Sequence, residues 1–540
     1  MRTRLAAALM SFLAFAPARS FAFSTASGLS TVQNQLWKQS NFLQVSEEGD
    51  AFGAATTVGD MNDDGYDDLI VTTPGESTSN PAVDLGSVYF IPGGPAGLVL
   101  TGSRRITLPA TYADGRCGET VAVGNFDSDD YRELAIGCPG AEVGGNAGAG
   151  LVLIYAGSAS GPDGGSFDVL SQDTANVSDS AEQDDEFGFM LAVGDFDSDG
   201  HDDLVVSTPG EDFNGPIPGF EFTDVGGVAV FYGTAQGLSG TGSQFWDMST
   251  PGVPGSSETG DRMGTTLAVG DFTGTVLADG YDDLAIGLPN HPIDDATNAG
   301  EVLVLYGSGD GLGTTLAQVW DQGSTNVPGN VATDQLYGSA LAAGDFDADG
   351  YEDLAVGVSG FDLDVIGTIA HAGAVSLLRG GLFGLVAQNT LWTELSTGVG
   401  GTVAPLDGFG SALAAADFNG DGADDLAIDI PRHTVNGAAS AGAVRVLLGA
   451  AGGLTSGGNA YWTKASGGIT GDPVASDQFG YVLAAGDFDG SGFADLAISS
   501  ATDPFVPSAP LAGSVQVLYG DLFADGFEAG GFAEWSDTSP

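Results

Sequence analysis

Seven times the chain returns to one ten-residue phrase, Asp-x-Asp/Asn-x-Asp-Gly-x-x-Asp-Leu, which sets side-chain oxygens at positions 1, 3, 5 and 9 around a turn at position 6. The copies contribute Asp60, Asn62, Asp64 and Asp68; Asn125, Asp127, Asp129 and Glu133; Asp195, Asp197, Asp199 and Asp203; an interrupted set of Asp271, Asp279 and Asp283; Asp345, Asp347, Asp349 and Asp353; Asp417, Asn419, Asp421 and Asp425; and Asp487, Asp489, Ser491 and Asp495. Position 7 offers its backbone carbonyl whatever its side chain, which adds Tyr66, Tyr131, His201, Tyr351, Ala423 and Phe493. Carboxylates crowded on so short a loop repel one another unless a hard cation sits between them, and calcium takes six to eight such oxygens. The sequence therefore predicts a multi-site calcium protein. Three copies depart from the phrase and are expected to be weaker or empty: the second has Asp130 at the turn and Glu133 at position 9, the fourth carries an insertion with Thr273 at position 3, and the seventh has Ser491 at position 5. Four well-formed sites are expected, and up to seven.

The phrases start at residues 60, 125, 195, 271, 345, 417 and 487, spacings of 65, 70, 76, 74, 72 and 70, so they mark structural repeats. Each repeat has an apolar run before the loop, a second after it, a Gly-x-Val-x-Val run such as GEVLVLYG from Gly300, and in most repeats a segment bearing a Trp, namely Trp246, Trp320, Trp392 or Trp462. These runs are short, rich in Val, Leu, Ile and aromatic residues, and bounded by Gly, Pro or Asp, which predicts four antiparallel strands per repeat and no helix. Four-stranded units at this period are the blades of a β-propeller, here an all-β ring of seven. The last repeat lacks a Trp-bearing strand, and an orphan one stands upstream at Gln35 to Gln39. Joining the two closes the ring and removes a free sheet edge. The recurring Trp is expected to pack against the next blade.

With 13 Lys plus Arg against 72 Asp plus Glu, the net charge is −59. That excludes a nucleic-acid binder, which needs cationic phosphate contacts. Apolar residues at 42% and charged residues at only 16% are the values of a folded chain. Residues 1–20 have the basic start, apolar stretch and Ala18-Arg19-Ser20 end of a cleaved secretory signal, so a secreted, cell-surface or periplasmic location is expected. No later apolar stretch is long enough to span a membrane as a helix. Cys117 and Cys138 flank the second loop, and a hairpin turning there brings them together as a disulfide in an oxidising compartment. Residues 21–34 read as a lead into the ring at 35–520, and residues 521–540 as an acidic, Gly-rich tail.

Phe-Gly at Phe52, Phe187, Phe409 and Phe479, then the acidic loop, then Thr-Pro-Gly or a relative at Thr73, Thr208 and Cys138, resembles the FG-GAP repeat of integrin α-subunit heads and of secreted bacterial relatives. The resemblance covers about residues 35–520. It implies a seven-bladed propeller with structural calcium and a role in binding or adhesion. No zinc spacing links the four His, and no Gly-x-Ser-x-Gly elbow is present. The carboxylate pairs of a glycosidase all fall inside the metal phrase. The expected function is a binding module for a protein or glycan, and not an enzyme. The alternative is a calcium-dependent polysaccharide lyase or hydrolase, since fold does not fix function. The acidic loop joins strands one and two, so the other loops emerge on the opposite face. The longest of them carries Phe213, Phe220 and Phe222, either as an exposed ligand contact or as packing for the loop itself.

Overall fold

The computed structural model describes residues 28–44, 49–76, 84–214, 221–273, 280–364, 367–500 and 512–520. The expected leader at 1–20, the tail at 521–540, Asp279 and Phe220 lie outside the described residues. Seven four-stranded antiparallel sheets form a ring. Blade 3 is representative: Leu191–Gly194 leads into the acidic loop, Asp203–Thr208 returns from it, Gly227–Phe231 follows, and Gln244–Trp246 is outermost. First strands of neighbouring blades touch all the way round, blade 7 against blade 1 included, so they line the axis. The second strands are buried along their whole length, as a strand covered on both faces must be. Seven apolar clusters lie at the seven blade junctions rather than inside single blades.

The ring closes through the N-terminal strand. Leu29–Trp37 pairs antiparallel with Ser514–Gly520, with Leu29 opposite Gly520 and Trp37 opposite Val515. This strand starts earlier than Gln35, because an irregularity between Ser30 and Gln35 lets it resume pairing beyond a break that the sequence pattern does not show. Gln39, expected in the strand, instead opens a 3₁₀ turn over Gln39–Phe42. Trp37 occupies the same register as the other four Trp: Trp246, Trp320, Trp392 and Trp462 each stand opposite the second residue of the third strand, Val228, Val302, Val375 and Val444. Blades 1 and 2 fill that place with Ile106 and Leu170.

The Phe-Gly pair clasps one blade to the next. Phe187 of blade 3 bridges Gly150, which opens the third strand of blade 2, and Phe52 of blade 1 bridges Gly513 of blade 7 in the same way. Gly150 has φ +83°, and a Cβ there would lie 2.2 Å from the Phe187 carbonyl oxygen, so only glycine fits. Met263 and Tyr337 replace Phe with full burial retained. Cys117 does the same in blade 2, and it is disulfide-bonded to Cys138 at the end of the second strand.

Candidate functional site

Five of the acidic loops organise themselves through their first and fifth positions. Asp195 accepts backbone N–H bonds from Asp199 at 3.1 Å and Gly200 at 3.0 Å, and Asp199 accepts from His201 at 2.9 Å. Asp60, Asp345, Asp417 and Asp487 repeat the first pattern. Position 9 is spent differently. In the third loop Asp203 accepts from Phe196 N–H at 2.9 Å and from Gly233 N–H at 2.8 Å, so one buried carboxylate ties the loop to the end of the third strand. Asp68, Asp283 and Asp495 make the same two bonds. Asp353 and Asp425 make the bond to the third-strand glycine. Burial, with the loop's other carboxylates adding to it, pushes the position 9 acids up, Asp68 and Glu133 to about 7 and Asp203, Asp353, Asp425 and Asp495 to about 8. A cation among these oxygens would supply the missing positive charge.

The donor set fits such a cation. Asn62 Oδ1, Asn125 Oδ1, Glu133 Oε1 and Asp347 Oδ1 are buried oxygens that accept no hydrogen bond from the protein. Acidic ligand atoms converge within 4.8 Å at Asp195, Asp197 and Asp199, and at Asp345, Asp347 and Asp349. They also converge at Asp127, Asp129 and Glu133 and at Asp487, Asp489 and Asp495, two of the loops expected to be weak. In the first and sixth loops the Asn amide turns its nitrogen toward position 9, Asn62 to Asp68 and Asn419 to Asp425. The fifth loop also holds a resident cation: Arg379 lies 2.6 Å from Asp347 and 2.7 Å from Asp349.

Position 8 was silent in the sequence and proves to connect the loops. Asp202 accepts the N–H of Asn125 in the preceding blade at 2.8 Å and donates its own N–H to the Asn125 carbonyl at 2.8 Å. Asp282, Asp424 and Asp67 do the same for Asp195, Asp345 and Asp487. In blades 3, 5 and 7 the glycine before the loop makes room for this side chain: a Cβ on Gly194, Gly344 or Gly486 would lie 2.8, 3.1 or 2.9 Å from Oδ2 of Asp282, Asp424 or Asp67. Blade 6 has Ala416 in that place, and there the facing residue is Ala494, with only a methyl group to accommodate.

The opposite face is built from the loops after the second and fourth strands. Lys38, Arg116, Arg262, Arg432 and Lys464 stand in or beside them. Glu186 links Arg116, at 2.8 Å, to Arg262 across two junctions. Two cavities open here, one of about 280 Å³ with His371, Leu406, Arg432 and Tyr481 in its wall, the other of about 440 Å³ with Lys38, Lys464, Asp472 and Asp477. Phe213 and Phe222 face each other across a two-residue hairpin with ring centroids 6.3 Å apart, both half-buried, so they pack the third-repeat loop and keep an exposed edge.

Beneath this face several junctions bury polar side chains that meet one another. Gln39 donates to Glu76, which Arg105 also meets at 2.7 Å; Gln172 donates to Glu211; Lys464 pairs with Asp477 at 2.6 Å. His291 stands between Asp261 at 3.0 Å and Glu301 at 3.9 Å. The junction of blades 5 and 6 gathers Glu394, Asp407 and His433, with His433 Nδ1 3.3 Å from Asp407 Oδ2. The hydrogen bond to Asp407 raises the His433 imidazole, and burial and Asp407 raise the Glu394 carboxyl. The sequence reading missed this group because its members are far apart in the chain.

Four segments match the FG-GAP repeat: residues 52–91, 187–231, 337–378 and 409–447. The chain carries FG-GAP repeats. The matched segments are blades 1, 3, 5 and 6, those whose acidic loops follow the phrase without departure. Among curated proteins it is 33% identical over 172 residues to rat phosphatidylinositol-glycan-specific phospholipase D, covering 31% of this chain and 18% of that protein. It is 30% identical over 259 residues to human integrin alpha-8, covering 47% of this chain and 20% of the integrin. The chain thus spans about a fifth of the length of these relatives. Among solved structures, rhamnogalacturonan lyase YesW aligns with TM-score 0.39 and 12% identity, over 87% of this chain and 72% of the lyase. The V. cholerae biofilm matrix protein Bap1 aligns with TM-score 0.36 and 12% identity, over 90% of this chain and 91% of Bap1. Neither bears on function at that level of overlap.

Proposed function

We propose that this FG-GAP propeller is a secreted, calcium-stabilised binding module that takes a protein or glycan ligand on the face opposite its acidic loops. The observation that carries the reading is a pair of cavities that open on that face with cations in their walls, Arg432 in one and Lys38 with Lys464 in the other. The same face carries many carboxylates, and Glu119, Glu186, Asp224 and Asp477 among them pair with Arg116, Arg262 and Lys464. In a chain of net charge −59, a ligand bearing carboxylates or sulfates meets its local attraction at these cavity cations. Calcium belongs to the scaffold: Asp60, Asp195, Asp345 and Asp417 head the four regular loops, and the ions fix each hairpin from which the opposite loops are held.

A calcium-dependent lyase needs a base beside the metal. Arg379 pairs with Asp347 and Asp349, which raise its guanidinium further, so it serves as a counter-ion, and His201, whose Nδ1 lies 2.9 Å from Asp199, is the imidazole that a lyase reading would have to use. Glycan and peptide arrays probed with the calcium-loaded protein test the reading. Capture of acidic ligands that weakens on Arg432→Ala or Lys38→Ala, with melting unchanged, supports it. Cleavage of a polysaccharide, or capture indifferent to these substitutions and lost on changes beside Asp197, overturns it.

A further inference from the structure

Glu394, Asp407 and His433 meet where three segments converge: the end of the outer strand of blade 5, the connection into blade 6, and the turn after the second strand of blade 6. All three are buried, at 2%, 1% and 7% exposure. Apart from the acidic loops, this is the group of acidic and histidine side chains among the described residues whose ligand atoms all converge within 4.8 Å. Two sister junctions match their charges, Lys464 with Asp477 and Arg105 with Glu76, and that of blades 3 and 4 sets His291 between Asp261 and Glu301. The junction of blades 5 and 6 also gathers one imidazole and two carboxylates, and these converge more closely. Both carboxylate oxygens of Glu394 are buried without a hydrogen-bond donor. The nearby cation, Arg445, draws the Glu394 carboxyl down but donates to Asn459 at 2.9 Å and to the Gly400 carbonyl at 2.8 Å, and stacks on Tyr461. Asp407 uses Oδ2 to accept the N–H of Ala404 and to meet His433.

We infer that Glu394, Asp407 and His433 bind a single divalent transition-metal ion, with zinc as the probe, at the junction of blades 5 and 6. One imidazole and two carboxylates are a mixed N/O set suited to zinc rather than to calcium, which takes oxygen alone. Ligand bonds of about 2.0–2.2 Å in a tetrahedron place neighbouring donors roughly 3.3–3.6 Å apart. The 3.3 Å from His433 Nδ1 to Asp407 Oδ2 is such an edge. Three protein ligands leave the fourth position to water or to a ligand atom. The ion pins the segments next to the 280 Å³ cavity, since Leu406, Gly408 and Arg432 in its wall adjoin Asp407 and His433. This site is independent of the calcium loops and of the ligand reading.

The test uses the full secreted protein held in millimolar calcium, stripped with a zinc-selective chelator and titrated with zinc alone. Metal analysis after gel filtration should find one zinc per chain, and cobalt in its place should give the visible absorption of a tetrahedral site. Glu394→Gln, which keeps the shape and adds a donor, should weaken zinc binding at least tenfold while leaving zinc-free melting unchanged or higher. His433→Gln should also lose the cobalt spectrum. Absence of retained zinc at micromolar concentration, or equal zinc affinity in wild type and Glu394→Gln, overturns the proposal. So does a Glu394→Gln protein whose only change is lower zinc-free stability, because that assigns the group to a shared proton.

Discussion

Trp37 is the point at which closure of the ring can be tested with one substitution. Its strand is the outer member of blade 7, and its indole lies buried against Phe42 and the cluster containing Phe52, Tyr89, Val515 and Tyr519, which joins blade 7 to blade 1. Two residues earlier, Gln35 accepts from Tyr519 Oη at 2.8 Å and donates to the Leu98 carbonyl of blade 1 at 3.1 Å. The same clasp joins blade 3 to blade 4 through Tyr232, Gln244 and Leu312, and blade 4 to blade 5 through Tyr306, Gln318 and Leu385. Truncating a buried Trp to Ala costs about 3–5 kcal/mol. A ring of this size unfolding as one unit has an entropy of roughly 1 kcal/mol/K, so Trp37→Ala should lower Tm by about 3–5 °C in calcium. Deleting residues up to Ser40 should do far more, since it exposes the edge of Ser514–Gly520 and the apolar surface beneath it. Calorimetry with light scattering reads both. Trp37→Ala melting within 1 °C of the parent, together with a deletion variant that stays monomeric, would refute closure by this strand.

Other expectations follow from single groups. Burial together with Asp179 and Asp185 lifts Glu211 to about 9, so between the unfolded pKa near 4.3 and about 9 the folded chain keeps a proton that the unfolded chain has released. Stability then falls as pH rises through that window, by at most about 1.4 kcal/mol per unit, and Glu211→Gln should flatten the loss in melts taken from pH 5 to 10. Equal slopes in the two proteins would remove Glu211 as its source. Arg379→Ala should tighten calcium at one loop several-fold by removing a competing cation, read by titration calorimetry; unchanged affinity at every site would mean that Arg379 leaves the loop freely. Reducing the Cys117–Cys138 disulfide should destabilise the protein by about 2–4 kcal/mol, checked by denaturant midpoint against the Cys117→Ala/Cys138→Ala pair.

Much of the architecture was legible because the repeat carries its own controls. Seven acidic phrases in phase with Phe-Gly and Gly-x-Val-x-Val gave blade number and strand order, and the orphan Trp37 pointed to closure. What stayed hidden lies between repeats. Position 8 looked like any acidic loop residue until Asp202 was seen to hold Asn125 of the neighbouring blade. The doubly bonded role of position 9 was also hidden, since a ligand pattern says nothing of a glycine N–H arriving from the third strand. Glu394, Asp407 and His433 come from three segments, and no spacing rule assembles them. The long third-repeat loop gave its aromatics without their pairing, which the Phe213–Phe222 hairpin supplies.

Calcium is the claim on which the rest depends. Loop carboxylates such as Asp195, Asp197 and Asp199 converge within 4.8 Å, and buried oxygens such as Asp347 Oδ1 and Glu133 Oε1 lack a donor. The direct measurement is the Tm of the mature protein before and after exhaustive chelation, with metal content read on the same samples. The account predicts four to seven calcium ions per chain and a sharp fall in Tm on their removal, reversed by adding calcium back and not by magnesium at equal concentration. A protein shown to be metal-free that melts at the same temperature would contradict it.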